Sequence, residues 1–264
     1  MDVIRLSPSR ISEYQQCPQL YNYRVIQKLP EPISLDAARG TLVHSVLEEL
    51  LAMPASERTL ETAVMRAPHH WQVQKDGDEL LANAVSDEKE WLDRVNALLA
   101  SYFQLEDPQS FQPTHIEEHL ELPETDQLML HGYVDRIDIA PTGEVRIVDY
   151  KTGKAPKAGY EEKALFQLRF YGLLWYRKFG TVPKLLQLLY LGDGQVIKSS
   201  PTEKDLLNAE RNALQTGSDI KVSIKENYWP TQKSRLCDWC SFKNINQSLS
   251  RSTESSSKDL ITFV

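Results

Sequence analysis

Two aspartates and a lysine stand close together near the middle of this chain. Asp149 and Lys151 are two residues apart in Val145-Arg146-Ile147-Val148-Asp149-Tyr150-Lys151, and Asp135 lies upstream in Gly132-Tyr133-Val134-Asp135-Arg136-Ile137-Asp138. Strand side chains alternate between faces, so Asp149 and Lys151 project from the same side of one strand with Ile147 in line behind them. Asp135 can reach that side from the partner strand. Carboxylates and an ammonium at one end of an apolar hairpin are costly to desolvate unless they hold one another or a cation. Hard cations such as Mg²⁺ favour this ligand set, one or two carboxylates with water and phosphate completing the shell. A neighbouring lysine would orient an attacking water, lower its pKa or stabilise charge building on a phosphate. An Asp-x-Lys triplet taken alone reads equally well as a surface ion pair of little worth.

The elements that must position these groups are legible around them. Gly132 to Ile139 and Val145 to Lys151 are rich in β-branched residues and flank Pro141-Thr142-Gly143-Glu144, which predicts a hairpin. Thr114 to Leu122 reads as the first strand of the sheet, with Glu117 either near the site or an exposed edge carboxylate. Ala37 to Leu51 has helical apolar spacing and places His44 one turn from Gly40 and one turn from Glu48. A lone helical histidine is more often structural than a ligand, and Gly40 has a use only where something approaches closely. Further helices are expected at Leu60–Trp71 and Ser86–Phe103, with His69-His70 a solvated pair. Beyond a basic loop at 152–159, Glu161 to Phe179 predicts an amphipathic helix. Lys163, Gln167 and Tyr171 share a face of it. Gln167 and Tyr171 could hold a phosphate and stack on a base, or form a polar flank beside Leu165, Leu168 and Trp175. Strands at 184–191 and 195–199 and a helix at 202–216 complete the pattern.

The whole predicts an α/β fold, a mixed sheet flanked by helices, with a mainly helical insertion over 31–112. One elaborated domain through residue 247 is expected, followed by a flexible Ser-rich tail at 248–264. The 264 residues, 41% of them hydrophobic, suffice for a large core. No apolar run reaches membrane-spanning length, and Met1 to Arg10 lacks a signal-peptide core, so a cytoplasmic protein without membrane partners is expected. The formal charge of −7 opposes a nucleic-acid partner at first sight. Its distribution does not: acids dominate from Glu31 to Asp135, whereas Lys151, Lys154, Lys157, Lys163, Arg169, Arg177, Lys178 and Lys184 form a basic stretch. Ser7 and Pro8 predict a helix start, with a break at Cys17-Pro18. Cys17 by itself reads as a small buried apolar residue. Cys237-Asp238-Trp239-Cys240 is compatible with zinc, a redox pair or half of an iron–sulfur site.

In order along the chain, Gly40-x-x-x-His44, Gly132-x-x-Asp135-Arg136-Ile137-Asp138, Asp149-Tyr150-Lys151 and Gln167-x-x-x-Tyr171 resemble the RecB-type exonuclease branch of the PD-(D/E)XK nucleases. The branch includes nuclease domains of helicase–nuclease complexes and CRISPR-adaptation nucleases, and the resemblance runs from Ser7 to about Phe242. It implies a restriction-endonuclease-like fold and a metal-dependent DNA exonuclease of repair or recombination, preferring single-stranded or frayed ends and working with a helicase or repair complex. By the same resemblance His44, Asp135, Asp149 and the Tyr150 carbonyl bind Mg²⁺ or Mn²⁺, and Lys151 serves the hydrolytic water. Gln167, Tyr171, Arg136 and Lys163 meet the DNA strand. Many relatives also hold a [4Fe–4S] cluster on four cysteines. Cys17, Cys237 and Cys240 match three, and the fourth position falls on Asn246, which leaves a cluster, its absence or zinc as alternatives. Two other readings stand beside the exonuclease: a non-cleaving DNA-binding or helicase-associated module, and an endonuclease of the restriction type.

Overall fold

The computed structural model describes residues 3–245; the Ser-rich tail and Asn246 lie outside them. In chain order the elements are β1 (Ile4–Leu6), α1 (Pro8–Gln16), α2 (Pro18–Tyr21), a π-helical turn (Asn22–Ile26), α3 (Leu35–Ala52), α4 (Leu60–Gly77), α5 (Glu79–Ala84) and α6 (Glu88–Leu105). There follow β2 (His115–Thr125), β3 (Leu128–Ile139), β4 (Val145–Lys151), α7 (Glu162–Phe179), β5 (Leu185–Tyr190), β6 (Gln195–Ser199) and α8 (Glu203–Glu226). The expected helix break falls at Cys17, which sits in extended conformation between α1 and α2. β1 and α5 were not legible, because a three-residue strand and a six-residue helix are too short to show a period.

The strands form one mixed sheet in the order β1-β3-β4-β5-β6, with β2 also on β3. β3 is the organising strand. Along one edge it pairs antiparallel with β2 from Leu128 to Ile137. Its other edge takes β1 in parallel at Leu128–Leu130 and β4 antiparallel at Arg136–Ile139. The hairpin is therefore present, and it leaves residues 131–135 of β3 without a strand partner on that edge.

One sheet face is covered by α3 to α6. Each of three of these helices starts on a side-chain cap: Ser34 accepts from the Ala37 amide, Thr59 from Thr62 and Asp87 from Glu90. Each then buries an apolar stripe at helical spacing, Val43, Val46, Leu47 and Leu50 on α3, Ala63, Ala67 and Trp71 on α4, Trp91, Val95, Leu99 and Tyr102 on α6. These side chains close over Val148, Tyr150, Leu189 and Leu191 of the sheet. The opposite face carries α7: its Gly172 lies against Leu186, which pairs with Ile147. α7 ends at Gly180, whose left-handed φ of 73° lets its amide bond back to Tyr176.

Packing groups the described residues into two compact units, 3–9 with 33–217 and 10–32 with 218–245. The second unit joins the two ends of the chain through aromatic side chains. Tyr21 stacks on Trp229, Tyr14 meets both edge-on, and the Tyr14 hydroxyl lies 2.8 Å from Ser223 Oγ. Tyr23 packs on Phe242, and Arg24 bridges Glu13 and Glu31.

Candidate active site

Where β3 and β4 part, a side chain takes over from the backbone ladder. The Tyr150 amide donates to Asp135 Oδ2 at 2.6 Å, so the carboxylate occupies the place a strand carbonyl would fill. The other oxygen, Oδ1, lies 3.3 Å from Nδ1 of His44 on α3. Nε2 of the same ring lies 3.1 Å from the Tyr150 carbonyl oxygen. His44, Asp135 and that carbonyl are thereby brought together by the fold of α3 over the hairpin. α3 comes close because Gly40 has no side chain: a Cβ there would stand 3.2 Å from Thr152 Oγ1.

Asp149 and Lys151 share a side of β4 as alternation requires, and Nζ sits 2.6 Å from Asp149 Oδ2. This contact is an ion pair and not an aligned hydrogen bond, so Oδ2 stays buried without a hydrogen-bond donor. Oδ1 accepts from the Gln167 amide at 3.0 Å, and the same nitrogen lies 3.0 Å from the Tyr171 hydroxyl. The Tyr171 ring in turn lies on Gly132, where a Cβ would come within 2.7 Å of it. Gln167 and Tyr171 thus sit one turn apart on α7 and form a brace that fixes Asp149. Tyr171 is buried, 7% exposed, and is no platform for a base; the stacking role expected of it is corrected to a positioning one.

Burial raises the Asp149 carboxyl to about 6, with Asp135 pushing the same way and Lys151 opposing. For His44 burial works against the charged ring, yet the neighbouring carboxylates of Asp135 and Glu117 outweigh it and lift the ring to about 10. Lys151 is raised although burial opposes its charge, because Asp149 is adjacent. Tyr171 is pushed well up by burial and stays a neutral hydroxyl. The resting site is therefore a compact arrangement of carboxylates balanced by two cationic side chains.

A divalent cation fits these residues. Ligand atoms on adjacent corners of an octahedron with bonds of ~2.1 Å lie about 3 Å apart, close to the 3.3 Å between His44 Nδ1 and Asp135 Oδ1, while the Tyr150 oxygen lies on the Nε2 side of the same ring. Asp149 Oδ2, buried beside the Lys151 ammonium, is a further carboxylate oxygen at this end of the hairpin. Among the described residues, His44, Glu117 and Asp135 form the group of side chains whose ligating atoms all lie within 4.8 Å of one another. Glu117 was left open between a site and an edge role by the sequence; the structure places its Oε1 3.9 Å from His44 Nδ1.

Two further expectations change. Arg136 is fully buried and cannot touch DNA: its guanidinium binds both Glu106 oxygens at 2.8 and 2.9 Å, Asp138 at 3.2 Å and the Tyr150 hydroxyl at 2.7 Å, stacked on Phe111. Glu106, which no motif marks, is thus the anchor of the hairpin to α6. The basic stretch also divides. Arg169, Arg177, Lys178 and Lys184 pair with Glu162, Glu210, Glu118 and Glu144, while Lys154, Lys157 and the exposed Lys163 carry no ion pair among the described residues. Cys17, Cys237 and Cys240 all fall in the second unit as free thiols. They do not converge to the ~3.8 Å sulfur separation that a tetrahedral zinc with ~2.3 Å bonds requires.

The chain matches the family model described as the PD-(D/E)XK nuclease superfamily over residues 5–245. No curated protein matches it. Among solved structures, a "Putative exonuclease" from Eubacterium rectale superposes with a TM-score of 0.59 at 13% identity, covering 89% of this chain and 86% of that one. At that identity the likeness concerns the fold. The structure of SSO0001 matches with a TM-score of 0.36 and 17% identity over 78% of this chain and 94% of that one, too slight a likeness to argue from. With a mixed sheet flanked by helices, an Asp-x-Lys at the end of the hairpin and a family match across nearly all its length, this chain belongs to the PD-(D/E)XK nuclease superfamily.

Proposed function

We propose that this chain is a Mg²⁺- or Mn²⁺-dependent deoxyribonuclease of the RecB-type branch, an exonuclease acting on single-stranded or frayed DNA ends in repair or recombination. The observation that carries the reading is the convergence of His44, Asp135 and the Tyr150 carbonyl beside the Asp149–Lys151 pair. A divalent ion held by His44, Asp135, Asp149 and the Tyr150 carbonyl would supply Lewis acidity and a more acidic water. Asp149 fixes the Lys151 ammonium, which is placed to orient the attacking water and to stabilise charge on the scissile phosphate. Gln167, braced by Tyr171, keeps Asp149 turned toward that task. Lys154, Lys157 and Lys163 offer their charge to the approaching strand. A helicase or repair complex is the proposed partner and the cytoplasm the proposed location; among the described residues no helix is long and apolar enough to cross a membrane. Cys17, Cys237 and Cys240 stand apart as free thiols and would have to draw together to hold an iron–sulfur or zinc site, which iron, sulfide and zinc content after anaerobic purification tests.

End-labelled linear and circular DNA, single- and double-stranded, incubated with Mg²⁺, Mn²⁺ or EDTA, tests the reading. Metal-dependent loss of linear strands with circles spared is expected, and Asp149→Ala or Lys151→Ala should lower the rate at least about a thousandfold. DNA bound but never cut would replace this reading by the non-cleaving module. Cleavage of circles would turn it toward an endonuclease.

A further inference from the structure

Beside the site the sheet carries a second tyrosine, and this one is open. Glu118 reaches Lys178 of α7 and Gly132 lies under the Tyr171 ring, so alternation turns their neighbours His119 and Tyr133 to the other side of the sheet. On that side His44 of α3 meets Glu117 and Asp135. Tyr133 stands two residues from Asp135 on β3, roughly 7 Å along the strand. It is 55% exposed, where Tyr171 is 7% exposed.

His119 and Tyr133 are cross-strand partners, and their rings stack with centroids 4.3 Å apart and planes within 11° of parallel. His131 meets His119 edge-on at 5.7 Å. One face of the Tyr133 ring is thereby set against His119 of β2, and the other looks away from β2. On that far side β1 pairs with β3 at 128–130 and β4 at 136–139, so the strand segment carrying Tyr133 has an open edge among the described residues. A flat aromatic face, held in orientation by its stacked neighbour, stands over a gap in the sheet next to the carboxylates. Orienting the ring before a ligand arrives lowers the ordering cost of binding.

We propose that the open face of Tyr133 is the seat of an unpaired base of the nucleic-acid strand, a base close to the phosphate held at the metal site. This rests on the nuclease reading and adds the residue that selects unpaired strands. The distance from Asp135 is one that a base can span from the sugar beside a bound phosphate. Inside a duplex both faces of a base are taken by its neighbours, whereas an unpaired base has a face to offer, and aromatic stacking accepts every base. The acidic groups nearby, Glu117, Asp135 and Glu121, do not oppose this contact, because the base is uncharged.

The test measures binding of a labelled single-stranded thymidine oligonucleotide by fluorescence anisotropy, with Ca²⁺ in place of Mg²⁺ and intact length confirmed on a gel. Wild type is compared with Tyr133→Phe, which keeps the ring, and with Tyr133→Val and Tyr133→Thr, whose β-branched side chains suit a strand. Unchanged Tm shows that each variant folds. Loss of the ring should weaken binding at least about fivefold and Tyr133→Phe less than about twofold. A single abasic position moved along the oligonucleotide locates the stacked base: removing it should weaken wild type by a similar factor and leave Tyr133→Val unaffected. Wild-type affinity in Tyr133→Val and Tyr133→Thr, an equal loss in Tyr133→Phe, or a loss in Tyr133→Val that persists at every abasic position would overturn the role of Tyr133. If wild type still cuts linear DNA with Mg²⁺, the nuclease reading stands without it. A wild type that neither binds nor cuts DNA would overturn both.

Discussion

His44 faces oxygen on both sides of its ring, two carboxylates at Nδ1 and the Tyr150 carbonyl at Nε2. Without metal the imidazolium is the favoured form up to a pH of about 10. A metal ligand must be neutral, so an arriving ion displaces a proton. Because the folded ring binds its proton more tightly than the unfolded one, His44 contributes stability to the metal-free protein below pH ~6.5. That contribution is lost as the pH climbs through about 10. Metal binding has the opposite dependence. Mn²⁺ affinity should rise about tenfold per pH unit between pH 6 and 8, and titrations in buffers of different ionisation enthalpy should show close to one proton released. His44→Asn should weaken binding and flatten this slope. A slope already flat in wild type would mean that His44 does not ligate. At the same scale, Tyr171→Phe keeps the ring on Gly132 and removes the contact to Gln167, so a modest loss of rate without loss of stability is expected.

The hairpin is held against the helical layer by charge as well as by apolar burial. Arg136 reaches from β3 to Glu106 at the end of α6 and to Tyr150 on β4. Removing one partner of a buried pair strands the other, at a cost of about 3–5 kcal/mol. Arg136→Met should therefore lower unfolding stability by about that much in a denaturant titration, while DNA affinity measured below the melting range stays within about twofold. A DNA-contacting arginine would give the reverse result, lost affinity at unchanged stability. On the other sheet face, Gly132→Ala forces a methyl group into the Tyr171 ring at 2.7 Å. The overpacking should cost about 1–3 kcal/mol. It should also slow cleavage beyond that cost, because displacing Tyr171 loosens the Gln167 brace on Asp149.

Over the whole chain the net charge is −7, and a nucleic-acid substrate must be met by local charge. Folding pairs Arg169, Arg177, Lys178 and Lys184 of the basic stretch with Glu162, Glu210, Glu118 and Glu144, and Lys151 with Asp149. Lys154, Lys157 and Lys163, in the loop after β4 and the first turn of α7, keep their charge available. Changing all three to Gln should reduce the salt dependence of single-strand binding, the slope of log affinity against log salt, by about 2. Replacing Lys178 and Lys184 should leave that slope unchanged. Fluorescence anisotropy between low and moderate salt measures both.

The chemistry at the end of the hairpin and the order of helices and strands around it were determined by the sequence. Period-two alternation puts Asp149 and Lys151 on one side, a Pro-Gly turn returns Asp135 to them, and helical spacing aligns Gln167 with Tyr171. These are short-range relations, carried by residues a few positions apart or joined by one turn. The tertiary structure decided everything that depends on what packs against what. Tyr171 is buried because Gly132 leaves room for its ring. Arg136 is a structural anchor because Glu106, thirty residues earlier in the chain, closes over it. Arg177, Lys178 and Lys184 are silenced by acids from other elements. Glu117 comes within 3.9 Å of His44 because β2 pairs with β3 and α3 packs over them, a meeting of residues far apart in the chain that only the folded chain assembles.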